Sequence, residues 1–367
     1  MKVFCPLNIT KKCEILQKRA RSKRVVVSQR EGNAYFVRVS AFMIFFLLPI
    51  ISSAGCSHSQ TGALVFVTNE RDGTISVIDT GKDKIIDVIV CGSRPRGIRI
   101  SADGENAYVA LSTPINKKAK PGDNRIIVLD THTGKITGSI NVGSDPEQLA
   151  VNKEQTLLYV SNEDAGTATI TDIKTGELKA TLIVGIEPEG VTLSPDGRWA
   201  YVTAETSNSI SVIDTEKQQV IKTFLVGVRP RDTAFSPDGK LAYVSSEIGQ
   251  TLSVVDTAKH EVVRTIQLGF NEENKPVGVI VSPDGQKIYI ANGRGNSVSV
   301  IDAGTFQLLT SIPAGQRVWG IALTPDGKKL YAAGGLSNDV TVIDTETNQI
   351  ITKIGVGEGP WGIAVRN

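Results

Sequence analysis

Aspartates that close a segment of the form S-V-I-D-T stand at positions 79, 130, 172, 214, 256, 302 and 344, so successive copies lie 51, 42, 42, 42, 46 and 42 residues apart. The two long spacings have visible causes: an insertion, PINKKAKPG, at 114–122 and NEEN at 271–274. A period of this length, held over seven copies, leaves few folds. Each unit is too small to bury an apolar face alone, so neighbouring units must bury it together.

One unit shows how. GVTLS (190–194) alternates small and apolar residues, and SPDG (194–197) supplies the proline and glycine of a tight turn. WAYVTAE (199–205), SISVIDT (209–215) and VIKTFLVG (220–227) follow, each alternating at period two and rich in Val, Ile, Thr and Tyr. No segment carries a helical period. The first unit opens at ALVFVTN (63–69), a second strand without its first, and the chain finishes on PWGIAVRN (360–367), a first strand without its successors. The two ends complete one unit. The expectation is an all-β, seven-bladed propeller of four-stranded blades over 63–367, the first blade closed by the C-terminal strand and no sheet edge left free.

Residues 1–38 carry ten Lys/Arg against Glu14 and Glu31, a net of +8, so the whole-chain value of +2 leaves −6 for residues 39–367. An acidic body argues against nucleic acid as a partner. AFMIFFLLPII (41–51) is apolar but shorter than the roughly 20 residues a spanning helix needs. Basic flank, apolar core and the small residues SSAG (52–55) have the layout of an export signal. Ser53-Ala54-Gly55-Cys56 resembles a bacterial lipobox, with Ser53 where an aliphatic residue is usual, so lipidation at Cys56 and ordinary cleavage after Ala54 are both open. We expect an exported protein, periplasmic or lipid-anchored in the cell envelope and touching a membrane only through Cys56. On this reading 1–38 is a basic extension from a misplaced start, 39–56 the signal segment and 57–62 a short linker. Cys5 and Cys13 lie in the extension, and Cys91 fills a slot held elsewhere by Val142, Val184 and Val226, so no disulfide or metal framework follows.

VFVTNERDGTISVIDT (65–80), YVSNEDAGTATITDI (159–173) and YVTAETSNSISVIDT (201–215) resemble the YVTN-type propeller repeat, across essentially all of 63–367. SRPRGIRISADG (93–104), EPEGVTLSPDG (187–197), GQRVWGIALTPDGKKLYAAGG (315–335) and PWGIAV (360–365) are similar, more narrowly, to exported propellers associated with pyrroloquinoline quinone (PQQ)-dependent catabolism. That resemblance implies a cell-envelope protein linked to PQQ alcohol or amine oxidation, and it brings no catalytic residues.

At the start of each first strand stands a three-residue cassette. In ring order these are Arg94-Pro-Arg96, Asp145-Pro-Glu147, Glu187-Pro-Glu189, Arg229-Pro-Arg231, Lys275-Pro-Val277, Arg317-Val-Trp319 and Gly359-Pro-Trp361. Proline fixes φ where the chain swings inward, while the flanking residues are free to vary. Glu70, Glu163, Glu205 and Glu247 end second strands and should rim the same mouth. Two readings stand side by side: a salt-bridge collar, or a site for a ligand or partner. Trp319 and Trp361, at equivalent positions of adjacent blades, have the aromatic character of contact residues, though packing over the channel wall is the somewhat stronger reading. Trp199, beside a turn on the opposite face, reads as packing.

Catalytic parts are scarce. The only histidines beyond the signal are His58, His132 and His260, the last two in turns away from the mouth, and there is no CxxCH, zinc spacing or GxSxG elbow. The preferred expectation is a monomeric, non-enzymatic propeller whose funnel, without a cofactor, binds a small anionic metabolite or docks a periplasmic dehydrogenase or transporter component. A cationic ligand on the acidic arc, a calcium-dependent lactonase-like hydrolase using Asp145, Glu147, Glu163, Glu187, Glu189, Glu205 and Glu247, and a structural scaffold remain as alternatives.

Overall fold

The computed structural model describes residues 63–113, 123–269 and 274–366. The basic extension, the signal segment with Cys56, the linker and both insertions apart from Asn274 lie outside the described residues. Twenty-eight strands, β1 to β28 in chain order, form seven four-stranded antiparallel sheets. Six sheets use consecutive strands. The seventh has the order β28-β1-β2-β3, in which β28 (Pro360–Arg366) pairs with β1 (Leu64–Asn69), and β2 (Thr74–Asp79) and β3 (Lys84–Val90) complete it. This is the expected composite blade, here blade 1.

The first strands of blades 2 to 7 are β4 (Pro95–Ile100), β8 (Pro146–Val151), β12 (Pro188–Leu193), β16 (Pro230–Phe235), β20 (Pro276–Val281) and β24 (Val318–Leu323). Each packs on the next, β24 packs on β28, and β28 packs on β4, which closes the ring. The chain is a seven-bladed β-propeller.

The apolar faces that one sheet cannot bury alone meet between blades. Leu64, Phe66 and Val77 of blade 1 pack with Ile98, Val109 and Ile127 of blade 2, and six similar clusters repeat around the ring. Cys91 lies in the first of them, 3% exposed, its Sγ donating to the carbonyl of Gly73 at 3.3 Å, and burial pushes its thiol pKa up to about 12. It behaves as the small apolar residue its slot implies.

Both kinds of turn repeat as chemistry. In Ser194-Pro-Asp-Gly197 the serine hydroxyl donates to Asp196 Oδ1 at 2.6 Å and Gly197 takes a φ of 74°. Ser101, Ser236, Ser282 and Thr324 make the same bond to the aspartate two residues on. At the other end of the first strand, the first cassette residue has positive φ in every blade: Arg94 48°, Asp145 48°, Glu187 55°, Arg229 60°, Lys275 46°, Arg317 53° and Gly359 67°. Its carbonyl accepts the N–H of the residue just past the second strand of the same blade, as in Glu163→Asp145, Glu205→Glu187 and Glu70→Gly359. This closure brings the two expected rings, cassettes and strand ends, onto one face.

Candidate functional site: the charged mouth

The mouth is built from side chains that cross between blades. Glu70, from blade 1, accepts from Arg94 Nε at 3.0 Å and Arg96 Nε at 3.1 Å, both of blade 2. Arg94 then reaches blade 3, donating through Nη1 to both oxygens of Asp145 at 2.9 and 3.1 Å. Arg96 pairs with Glu147 and stands 3.9 Å from Glu163. A second cluster joins blades 4 and 5. Arg231 lies 3.1 Å from Glu189, pairs with Glu205 and is 3.7 Å from Glu247, while Arg229 donates through Nε to both Glu205 oxygens at 2.8 and 2.7 Å. Eleven of the expected residues therefore form a collar over blades 1 to 5.

Burial sets the electrostatics. Arg94 is half-buried and Arg231 buried, which by itself lowers a guanidinium pKa, but Asp145 and Glu70 around the first, and Glu189, Glu205 and Glu247 around the second, hold both above the ordinary value. Glu163 and Glu189 go the other way. Burial raises each to about 7 against the pull of Arg96 and Arg231 respectively. Asp145 adds to the rise at Glu163 by repulsion and by accepting its proton in a hydrogen bond. The mouth thus holds carboxylic acids that change charge near neutrality, the range useful for proton transfer.

Blades 6, 7 and 1 complete the rim differently. Gly293 and Gly335 occupy the slot that Glu163, Glu205 and Glu247 hold elsewhere. A side chain at Gly335 would collide with the indole of Trp319, its Cβ only 2.5 Å from Cδ1. Trp319 and Trp361 stack at 6.2 Å between centroids, with Arg96 over Trp361 at 5.4 Å and Arg231 over Trp319 at 5.5 Å. Arg317 lies over Trp319 at 4.6 Å. Burial lowers its pKa and the attraction of Glu247 only partly offsets this. No carboxylate oxygen lies within ion-pair distance of Arg317 among the described residues, so its in-plane N–H groups face a cavity of about 460 Å³ also lined by Arg94, Glu163, Glu205 and Arg229.

Two expected residues stay outside this arrangement. Glu187 points into solvent and accepts from the Thr206 hydroxyl, and Lys275 makes no ion pair among the described residues and does not line the cavity. Their backbone slots match those of Arg94 and Asp145, but the rims beside them offer no partner. On the opposite face Trp199 meets His260 edge-on at 4.8 Å, and the Tyr201 hydroxyl lies 2.6 Å from His260 Nδ1, a packing arrangement as expected.

Asp145, Glu147 and Glu163 place carboxylate oxygens within 4.8 Å of one another, and Glu147 is fully buried with no hydrogen bond to its Oε2. The geometry is nonetheless that of a guanidinium site. Arg96 already sits against Glu147 and near Glu163, and Arg94 takes both oxygens of Asp145. A hard cation seeks six to eight converging oxygens, and here arginine supplies the positive charge.

Comparison with known proteins agrees with the architecture. The family model described as lactonase, 7-bladed beta-propeller, matches residues 223–353, about a third of the chain. That stretch contains Arg229, Arg231, Glu247, Arg317 and Trp319 but not the Asp145 cluster. No curated protein matches the sequence significantly. Among solved structures, a candidate 6-phosphogluconolactonase from Bacteroides uniformis is 18% identical over 83% of this chain and 99% of its own, with a TM-score of 0.71. A second from Bacteroides fragilis is 19% identical over 84% and 99%, at 0.70. Hydrazine synthase from Kuenenia stuttgartiensis is 22% identical over 74% and 89%, at 0.64. At such identities the likeness is one of fold.

The collar positions were readable from charge and spacing. The residues missed are Arg99 and Asp232, which lie deeper in the channel. Arg99 stands where the other first strands have a small or apolar residue, and Asp232 where five have glycine and one has Gln148; those breaks in pattern were the available signal.

Proposed function

We propose that the mouth is a binding site for a small hydroxylated carboxylate, a sugar acid or its lactone. The observation that carries this is Arg317, a guanidinium over the Trp319 ring and without a carboxylate within ion-pair distance among the described residues, which shares the lining of a cavity of about 460 Å³ with the protonatable Glu163. The ligand carboxylate meets the Arg317 fork in the paired geometry guanidinium favours. Its hydroxyls find donors and acceptors in Glu163 and the arginine collar. A cavity of this size suits a six-carbon acid.

A second reading, ring opening of the lactone, is favoured by Glu163 titrating near 7 and by the partial match to the lactonase family. Water would add to the lactone carbonyl as Glu163 takes its proton. The ring C–O bond would break, and the departing oxygen would collect that proton.

Titration calorimetry with gluconate and glucono-δ-lactone tests the binding proposal. Saturable binding that weakens at least about tenfold in Arg317→Ala supports it, and unchanged binding in that variant overturns it. Ring opening is followed by proton release. An activity that rises through pH 7 and vanishes in Glu163→Gln makes the protein a hydrolase, whereas binding without acceleration makes it a receptor. We also propose export, on the basic flank, apolar run and small residues that precede Cys56 in the sequence.

A further inference from the structure

Below the collar the channel widens into a second cavity of about 540 Å³, reaching down to Pro195 in the Ser-Pro-Asp-Gly turn of blade 4. Glu189, Arg231 and Trp319 line both cavities and so form the partition between them. Ile100, Leu193, Phe235, Val281, Leu323 and Val365, one from each of six first strands, give the lower chamber an apolar wall, while Glu189, Arg231 and Asp232 line it with charge. Into it projects Arg99. At the equivalent position the other blades carry Ala150, Thr192, Ala234, Ile280, Ala322 and Ala364.

Arg99 is poorly satisfied for a half-buried cation. A guanidinium has five N–H donors, and the hydrogen bond Arg99 makes is from Nη1 to the carbonyl of Ile98 in its own strand, at 3.0 Å. Asp232 attracts it from across the channel, but burial outweighs that attraction and lowers the Arg99 pKa. Asp232 feels the same attraction in return: burial raises its pKa against the pull of Arg99, and two backbone donors share its oxygens. Its Oδ1 accepts the N–H of Thr233 at 2.9 Å and its Oδ2 that of Val279 at 3.2 Å. The chamber therefore offers a half-buried cation, attracted by Asp232 but with spare N–H donors, beside an apolar wall.

We infer that the lower chamber binds a monocarboxylate with an apolar body, its carboxylate on the Arg99 guanidinium and its hydrocarbon against the first-strand side chains. The site is separate from the mouth. The mouth is walled by charge and suits a hydroxylated ligand, while the chamber adds an apolar wall drawn from six first strands.

Titration calorimetry of the purified protein with hexanoate and phenylacetate, each beside its uncharged amide, tests the inference. The acids should bind saturably and the amides at least about tenfold more weakly. Arg99→Met should abolish the difference between acid and amide, and Arg317→Ala at the mouth should leave acid binding unchanged. Should Arg99→Met fail to fold, Thr192→Phe decides, because it fills the chamber and leaves Arg99 intact, and it should exclude both acids. Binding by neither acid, equal binding of acid and amide, or full affinity in both chamber variants would overturn the inference. So would loss in Arg317→Ala, which would place the acids at the mouth.

Discussion

Arg96 holds three blades together. It donates to Glu70 of blade 1, pairs with Glu147 of blade 3 and stacks on Trp361 of the closing strand. Removing one partner of a buried ion pair leaves an uncompensated charge and costs about 3–5 kcal/mol, and Glu147 is fully buried. Arg96→Met should lower stability by that order in urea denaturation, and Arg96→Met/Glu147→Leu should recover most of it. Arg229, with nearly half its side chain exposed, should matter far less on substitution, within about 1 kcal/mol. Glu163 sets a different dependence. Its folded pKa, near 7, lies above the ordinary glutamate value. Its stabilising contribution is therefore complete below about pH 4.5 and is lost as pH rises toward 7. Stability measured from pH 5 to 8 should fall on this account, and Glu163→Gln should flatten the profile by roughly 1–3 kcal/mol. A wild-type profile that Glu163→Gln leaves unaltered would remove Glu163 as its source.

At the scale of the strand, the cassette explains both its proline and its charges. Six of the seven residues ahead of the second cassette position are non-glycine and left-handed, and all six are charged. Glycine would take that φ with less strain, so the side chains at these places serve a purpose beyond the turn. Three positions further along the strand the constraint reverses: Gly97, Gly190, Gly278, Gly320 and Gly362 stand where first strands of adjacent blades touch. A Cβ on Gly320 would lie 2.6 Å from the carbonyl oxygen of Trp361. Gly320→Ala should therefore destabilise by about 2 kcal/mol or more, whereas Gly138→Ala, on an outer strand with nothing within 4 Å, should be neutral or stabilise by up to about 1 kcal/mol. Equal melting shifts for the two would refute the close-approach account. The strands, turns and face of the mouth were legible because each follows from a local pattern repeated seven times. The partners of Arg96 were not, because they depend on how far a long side chain reaches across a blade boundary. Glu187 and Lys275 illustrate the limit. Their spacing is that of Arg94, and only the neighbouring rim, with Thr206 in one case and no carboxylate in the other, decides that they stay out of the collar.

For the whole molecule, closure rests on one strand. β28 pairs with β1 in the register Val65↔Val365 and Phe66↔Ala364, and Gly362 donates its N–H to the Thr68 hydroxyl at 2.8 Å. The ring is also latched on the turn face, where Tyr331 and Lys329 of blade 7 both donate to Asp83 of blade 1 at 2.7 Å. Until β28 docks, β1 has an open edge, the kind of edge that recruits other chains. The same strand carries Trp361, so closure also assembles the partition between mouth and chamber. A disulfide between Val65→Cys and Val365→Cys joins directly opposed residues, whose spacing in an antiparallel pair suits the bond. Closing so long a loop should stabilise by about 2–4 kcal/mol, read as a higher melting temperature lost on reduction. If ring opening is the first step of unfolding, the oxidised protein should also unfold more slowly with its refolding rate little changed. A bond that forms but leaves the unfolding rate untouched would put the first opening between two other blades.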